Sequence, residues 1–236
     1  MNRRNYVAAT QPKEFRPMCD WIAYRGDPIF LEDLIHAPSN SVIDQSLHCR
    51  EGARRTNGDG FGMGWYGSRS EPSLFRDVLP AWNDQNLRAL SRQILSPLFF
   101  AYVRASTGTE TSRLNCHPFA YDRWLFMHNG EIGGYRSCRR QLETLLSDKF
   151  YRHRQGTTDS ELFFLLMIQN GLEDDPVAAI RTTIRQITSV ATDNGAEEPF
   201  VLTICVTDGN RFYTCRDTPA RGSRRHFICG AMSATS

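Results

Sequence analysis

Apolar positions in the first half of the chain come in short runs punctuated by Gly and Pro. Trp21 to Tyr24 is one, closed by Gly26 and Pro28; Phe61 to Tyr66 is Gly-punctuated and aromatic; Ser73 to Val78, Phe99 to Val103 and Leu125 to Met127 follow. Runs of this length suit buried strands better than helices. Between them Leu87, Leu90, Ile94 and Leu95 have helical spacing. In the second half the period lengthens. Tyr135, Cys138, Leu142, Leu145 and Leu146 fall on one helical face, and Thr158-Asp159-Ser160-Glu161 matches a capping box in which Glu161 reaches back to Thr158. The run Leu162 to Ile168 is apolar all round, which predicts a helix buried on most sides. A third helix opens at Asp174 or Asp175 with Pro176 in its first turn, carries Val177, Ile180, Ile184, Ile187 and Ala191 inward, and stops at Asn194-Gly195. A hairpin is predicted from Phe200 to Thr207 and Arg211 to Arg216 around Asp208-Gly209-Asn210, with a last strand from His226. Strands, then helices, then strands predict an α+β fold or a layered sandwich and exclude regular βαβ alternation.

Composition adds bounds. The chain has 236 residues, 40% hydrophobic and 23% charged, enough for a substantial core. The formal net charge of +2 supplies no chain-wide drive toward nucleic acid or an anionic membrane. The longest apolar run, Leu162 to Ile168, falls far short of the roughly 18 residues that span a bilayer. The N-terminus lacks the apolar region of a secretory signal, and Glu14 argues against a transit peptide. Seven Cys with no C-x-x-C predict reduced thiols and a cytoplasmic location. Residues 1–17 are polar and poorly periodic and are read as a disordered extension, a propeptide or a mis-called start, with residues 18–236 as one domain.

Five places could carry chemistry: Met18-Cys19, Asn57-Gly58-Asp59-Gly60-Phe61-Gly62, Arg104-Ala105-Ser106-Thr107, His128-Asn129-Gly130-Glu131-Ile132 and Thr157-Thr158-Asp159-Ser160-Glu161. Each alone has a plain structural reading. The Gly-rich stretch reads as a strand or turn, because Trp65-Tyr66 follow where a dinucleotide-binding helix would open. Arg104 reads as a surface arginine after a strand, His128 to Gly130 as a strand-ending turn, and the capping box as only a cap. Cys116-His117 lacks partners at metal-ligand spacing, so no metal site is expected, and Cys49, Cys138, Cys205, Cys215 and Cys229 read as small hydrophobes.

Taken together and in order, these motifs resemble the class II glutamine amidotransferases, which are N-terminal-nucleophile hydrolases. The similarity is greatest to the stand-alone branch that includes γ-glutamyl hydrolases of ergothioneine biosynthesis and of glutathione breakdown. Met18-Cys19-x-Trp21-x-Ala23-Tyr24, Asn57 to Gly62, Pro80-Ala81-Trp82, Asn115-Cys116-His117-Pro118-Phe119 and Met127-His128-Asn129-Gly130 carry it, over Met18 to about Thr207. The resemblance implies an αββα four-layer sandwich with two antiparallel sheets between helical layers. It implies no cofactor and a small-molecule substrate, glutamine or a γ-glutamyl compound. By the resemblance, Cys19 attacks the γ-carboxamide, Asn129 and Gly130 stabilise the oxyanion, Arg104 holds the α-carboxylate, Asp159 meets the α-ammonium, and Thr107 adds a polar contact. Asp159 at a helix N-terminus should stay ionised.

The sequence departs from the family pattern at both ends. Cys19 is preceded by Met18 and seventeen further residues, so its nitrogen becomes a free amine only if translation starts at Met18 or the segment is cleaved. The tail from Phe227 to Ser236 lacks the family's Ser-Glu-Pro-Leu-like segment and reads as a truncation or a frame change near residue 230. Two other readings stay open: a glutaminase subunit that works with a synthetase or amidotransferase partner, and a catalytically silent γ-glutamyl-binding module in which Cys19 stays blocked.

Overall fold

The short apolar runs become strands, and their partners extend them beyond what the runs themselves mark out. The computed structural model describes residues 5–8, 20–47, 58–105, 109–196, 201–218 and 226–233. The elements are β1 (Asn5–Ala8), β2 (Asp20–Phe30), α1 (Glu32–Ile35), α2 (Val42–Leu47), β3 (Phe61–Trp65), β4 (Ser73–Asp77), a 3₁₀ turn (Ala81–Asn83), α3 (Gln85–Ser91) and β5 (Leu95–Val103). A second 3₁₀ turn (Arg113–Asn115), β6 (Phe119–Tyr121), β7 (Trp124–Glu131), α4 (Tyr135–Glu143), α5 (Asp148–Tyr151), α6 (Asp159–Gln169), α7 (Pro176–Asp193), β8 (Val201–Thr207), β9 (Arg211–Thr218) and β10 (His226–Ser233) follow. There are two five-stranded antiparallel sheets, ordered β1-β2-β5-β3-β4 and β10-β9-β8-β7-β6. Two antiparallel sheets with helices are the α+β class that the element order predicts.

The chain forms two compact units, residues 1–127 with 207–210 and residues 128–206 with 211–236. In the first, β2 does not end at Gly26 and Pro28. It continues along β5, and the register shifts between Arg25 and Ile29. Proline has no N–H for a ladder, so the irregularity absorbs Pro28 while the strand resumes pairing at Ile29. Residues 5–8, read from sequence as part of an unstructured extension, pair with β2 from Asn5 opposite Arg25 to Ala8 opposite Ile22. The predicted helix over Leu87 to Leu95 is shorter: α3 stops at Ser91 and Leu95 opens β5. Asp84 starts α3 by accepting the Leu87 N–H at 2.7 Å. A buried cluster of Tyr24, Leu31, Ile35, Val42, Phe61, Met63, Leu87 and Phe99 joins the sheet to α1, α2 and α3. Gly62 is required by close approach, because a Cβ there would overlap the His117 carbonyl.

In the second unit α6 is buried from Ser160 to Met167, as its all-round apolar run predicts. It packs on α5 and α7, and α4 packs on α7. Asp175 caps α7 through the Ala178 N–H at 3.0 Å, with Pro176 in the first turn. Helix α4 ends at Glu143, so Leu145 and Leu146 lie beyond it. Strand β9 pairs with β10 along its whole length, from Arg211 opposite Ser233 to Thr218 opposite His226.

Candidate functional site

In the first unit the family-like positions converge on Arg104. The residue follows β5 directly and is 5% exposed, so it is not a surface arginine. Its N–H donates to the Gly60 carbonyl at 2.9 Å, and its carbonyl accepts the Asp59 N–H at 3.1 Å. The guanidinium donates to the Asp59 carbonyl at 3.3 Å, Thr109 Oγ1 at 2.6 Å and the Glu110 carbonyl at 3.4 Å. These three oxygens hold the plane of the guanidinium in a set direction. Gly58 to Gly60 run straight into β3, so no helix opens after these glycines and the dinucleotide reading is excluded. Met18, Cys19, Asn57, Ser106 and Thr107 lie outside the described residues.

In the second unit His128, Asn129 and Gly130 are part of β7 itself rather than a turn after it. Asn129 is 2% exposed. A Cβ at Gly130 would overlap the Val201 carbonyl and stand 2.6 Å from His128 Nε2, so only glycine fits. Two residues on, the Ile132 N–H donates to Asp159 Oδ2 at 2.9 Å. Asp159 Oδ1 accepts the Ser160 N–H at 2.8 Å, and the Ser160 hydroxyl stands 3.3 Å from it. The Asp159 carboxylate at the start of α6 is thereby tied to the segment that carries Asn129 and Gly130.

The capping box is half as predicted. Thr158 Oγ1 accepts the Glu161 N–H at 3.2 Å, as a cap should. The Glu161 carboxylate does not return to Thr158; it accepts the N–H groups of Gln155 at 2.9 Å and Gly156 at 2.7 Å. The preceding loop folds back over the helix end, and its N–H groups take the carboxylate instead. Arg154 braces the same loop, donating to Tyr135 Oη at 2.7 Å and the Thr158 carbonyl at 3.4 Å, with Glu143 at 2.8 Å. Sequence reasoning gave Arg154, Glu143 and Ser160 no role, because residues distant in the chain carry no local signal of meeting.

His128 Nδ1 lies 3.0 Å from Ser160 Oγ, and the ring stacks near Phe163 with centroids 6.0 Å apart. Burial holds the imidazole below its usual value, against the opposing pull of the Asp159 charge and a Val201 hydrogen bond. A histidine that is neutral when folded, and protonates near ~6.5 when unfolded, binds fewer protons in the native state. Its contribution to stability is therefore complete above the unfolded value and is lost as pH falls toward the folded one. The unfolding temperature is expected to fall between pH 7 and pH 5, and to fall less in His128→Gln. Parallel melting curves across that range in the two proteins would reject this source of acid sensitivity.

Cys116, Cys138, Cys205 and Cys215 are buried and form no disulfide with one another. Burial pushes the thiols of Cys116, Cys138 and Cys205 up, away from the thiolate form a nucleophile needs. Among the described residues no three His, Cys, Asp or Glu side chains gather to hold a metal, and no helix is long and apolar enough to cross a membrane.

Comparison with known proteins narrows the reading. The family model of class-II glutamine amidotransferases matches residues 34–228. The Saccharomyces cerevisiae protein described as "Probable glutamine amidotransferase DUG3" is 37% identical over 91% of this chain and 68% of its own length. The gamma-glutamyl-hercynylcysteine sulfoxide hydrolase of Mycolicibacterium smegmatis is 30% identical over 49% of this chain and 52% of that protein. A solved glutamine aminotransferase class-II domain protein from Silicibacter pomeroyi superposes with a TM-score of 0.66 at 39% identity, covering 83% of this chain and 76% of the other. Glutamine phosphoribosylpyrophosphate amidotransferase from B. subtilis shares the fold, with a TM-score of 0.56 at 15% identity over 84% of this chain and 37% of the other.

Proposed function

From the premise that the chain belongs to the class II glutamine amidotransferases, we propose that it hydrolyses a γ-glutamyl amide through a thioester on Cys19. The Cys19 sulfur attacks the γ-carboxamide carbon, and the Cys19 α-amino group, freed by removal of the preceding residues, takes the thiol proton. An α-amino group titrates near ~7.7–8.0, so it can hold that proton and pass it to the departing amine. The tetrahedral oxyanion receives hydrogen bonds from the Asn129 side-chain amide and the Gly130 N–H. The C–N bond breaks, the amine leaves, and water hydrolyses the γ-glutamyl thioester to glutamate and free thiol. Arg104 binds the α-carboxylate, Asp159 pairs with the α-ammonium, and Thr107 adds a polar contact. A substrate gripped at both α-groups presents only its γ-end to the nucleophile, so α-linked amides are excluded.

The observation that supports this reading most is the hydrogen bond from the Ile132 N–H, two residues beyond Gly130, to Asp159 Oδ2 at 2.9 Å. A relative named for hydrolysis of a γ-glutamyl compound supports the same reaction class. The test is glutamate release by protein beginning at Cys19. Glutamine or a γ-glutamyl dipeptide is expected to be cleaved, and the α-linked isomer of that dipeptide is not. Arg104→Lys is expected to lower kcat/KM by roughly tenfold or more, because a point charge cannot reproduce the planar fork. Asp159→Asn is expected to raise KM. Wild-type constants in both variants would reject these assignments.

A further inference from the structure

The reaction just proposed leaves unused a buried histidine that stands among its residues. His128 is 1% exposed and precedes Asn129 in β7. Side chains alternate along a strand, so His128 and Asn129 project to opposite faces. On its own face His128 reaches α6, where Nδ1 lies 3.0 Å from Ser160 Oγ. Across the ring, Nε2 and the Val201 carbonyl both flank Gly130, and Val201 raises the affinity of the imidazole for protons as an acceptor does. A carbonyl only accepts, so Nε2 carries the ring proton. Burial disfavours a second proton against the opposing pull of the Asp159 charge, and Nδ1 is left a bare acceptor. The Ser160 hydroxyl therefore donates to Nδ1.

The direction of that hydroxyl matters to Asp159. A carboxylate offers about four lone-pair sites. The Ser160 N–H occupies one on Oδ1 at 2.8 Å, and the Ile132 N–H occupies one on Oδ2 at 2.9 Å. The Ser160 hydroxyl is 3.3 Å from Oδ1, within reach of another. A hydroxyl has a single proton, so donation to His128 and donation to Asp159 exclude each other. While the imidazole holds the hydroxyl, each Asp159 oxygen keeps a site that the described residues do not fill. A hydroxyl turned to Oδ1 would take one of those sites and weaken the pull of the carboxylate on a cation.

We propose that His128 is a positioning residue for substrate binding: by accepting the Ser160 hydroxyl, it keeps Asp159 open to the α-ammonium. The assignment rests on the reaction proposed above, in which Asp159 meets that ammonium. A substitution that removes the acceptor at Nδ1 frees the hydroxyl to turn onto Asp159. A different acceptor in the same place keeps it turned away. The loss should therefore fall on ligands that carry the ammonium and spare those that lack it.

The test uses two ligands that differ only in the α-amino group, L-glutamate and glutarate. Each is titrated calorimetrically at pH 7 into protein beginning at Cys19. His128→Leu, which offers no acceptor, is expected to bind glutamate about tenfold more weakly and glutarate as before. His128→Asn, whose side-chain oxygen takes the place of Nδ1, is expected to keep the wild-type affinity for glutamate. Removing the hydroxyl as well, in His128→Leu with Ser160→Ala, is expected to recover most of the loss. No loss in His128→Leu, an equal loss for the two ligands, a tenfold loss in His128→Asn, or no recovery in the double variant overturns the proposal. If the wild type binds glutamate no better than glutarate, or Asp159→Asn leaves glutamate binding unchanged, the ammonium assignment fails and the role of His128 falls with it. If Asp159→Asn weakens glutamate and His128→Leu does not, the role of His128 falls alone. Nitrogen NMR shifts of the His128 ring in the wild type decide the matter even where His128→Leu does not fold. A protonated Nε2 and a bare Nδ1 are expected at pH 7, and a protonated Nδ1 overturns the proposal.

Discussion

Protein that begins at Cys19 will release glutamate from γ-glutamyl amides, and protein that keeps residues 1–17 and Met18 in front of Cys19 will not. The difference is expected to be roughly 10³-fold or more, comparable with loss of the nucleophile itself in Cys19→Ala. A peptide nitrogen has no basic lone pair, so a buried-in-chain Cys19 loses the group that takes the thiol proton and returns it to the amine. The two proteins will differ in another respect. Asn5–Ala8 form β1 on the edge of the first sheet, so starting at Cys19 removes that strand and leaves β2 as the edge. A newly exposed edge favours self-association, and the shorter protein is expected to melt lower. Intact mass must establish each N-terminus, and melting curves must show both proteins folded at the assay temperature. Equal turnover would remove the amine from the mechanism. A folded but inactive Cys19-initiated protein would favour a silent γ-glutamyl-binding module.

Asn129→Ala is expected to lower kcat by on the order of 10²–10³ with little change in KM. The side-chain amide acts on charge that develops in the tetrahedral intermediate and is absent from bound substrate. Asn129 lies in β7 and is 2% exposed, so its substitution also leaves a small void, which melting curves will register separately from kcat. Gly130→Ala should behave differently. Its Cβ would overlap the Val201 carbonyl and lie 2.6 Å from His128 Nε2, so the strand must shift and the protein should lose stability as well as rate. A kcat within threefold of wild type in folded Asn129→Ala would take the residue out of the oxyanion hole.

Helices α6 and α7 could be placed from sequence because their signals are local. Thr158 and Asp175 bind N–H groups three residues ahead, and the apolar period that follows needs only the chain's own geometry. The hairpin of β8 and β9 is equally local, with Asp208-Gly209-Asn210 as its turn. Strands are different, because a partner decides where they end. Gly26 and Pro28 look terminal in sequence, yet β5 carries β2 through to Phe30. Asn129-Gly130 looks like a turn, yet it continues β7. Residues 5–8 show no strand pattern of their own and acquire one by pairing with β2.

By itself, then, the sequence determined which residue types are present for γ-glutamyl chemistry, their order, and the helices whose caps and periodicity are written within a few residues. The tertiary structure alone decided that Arg104 is buried against Asp59 and Thr109, that Glu161 serves the loop at Gln155 and Gly156 rather than Thr158, and that Asp159 is tied to Ile132. It also decided that His128 meets Ser160. Each of these depends on a hydrogen bond or a packing contact between segments far apart in the chain. Such contacts follow from how whole elements dock, and periodicity and caps, which act within a turn or two, leave them unspecified.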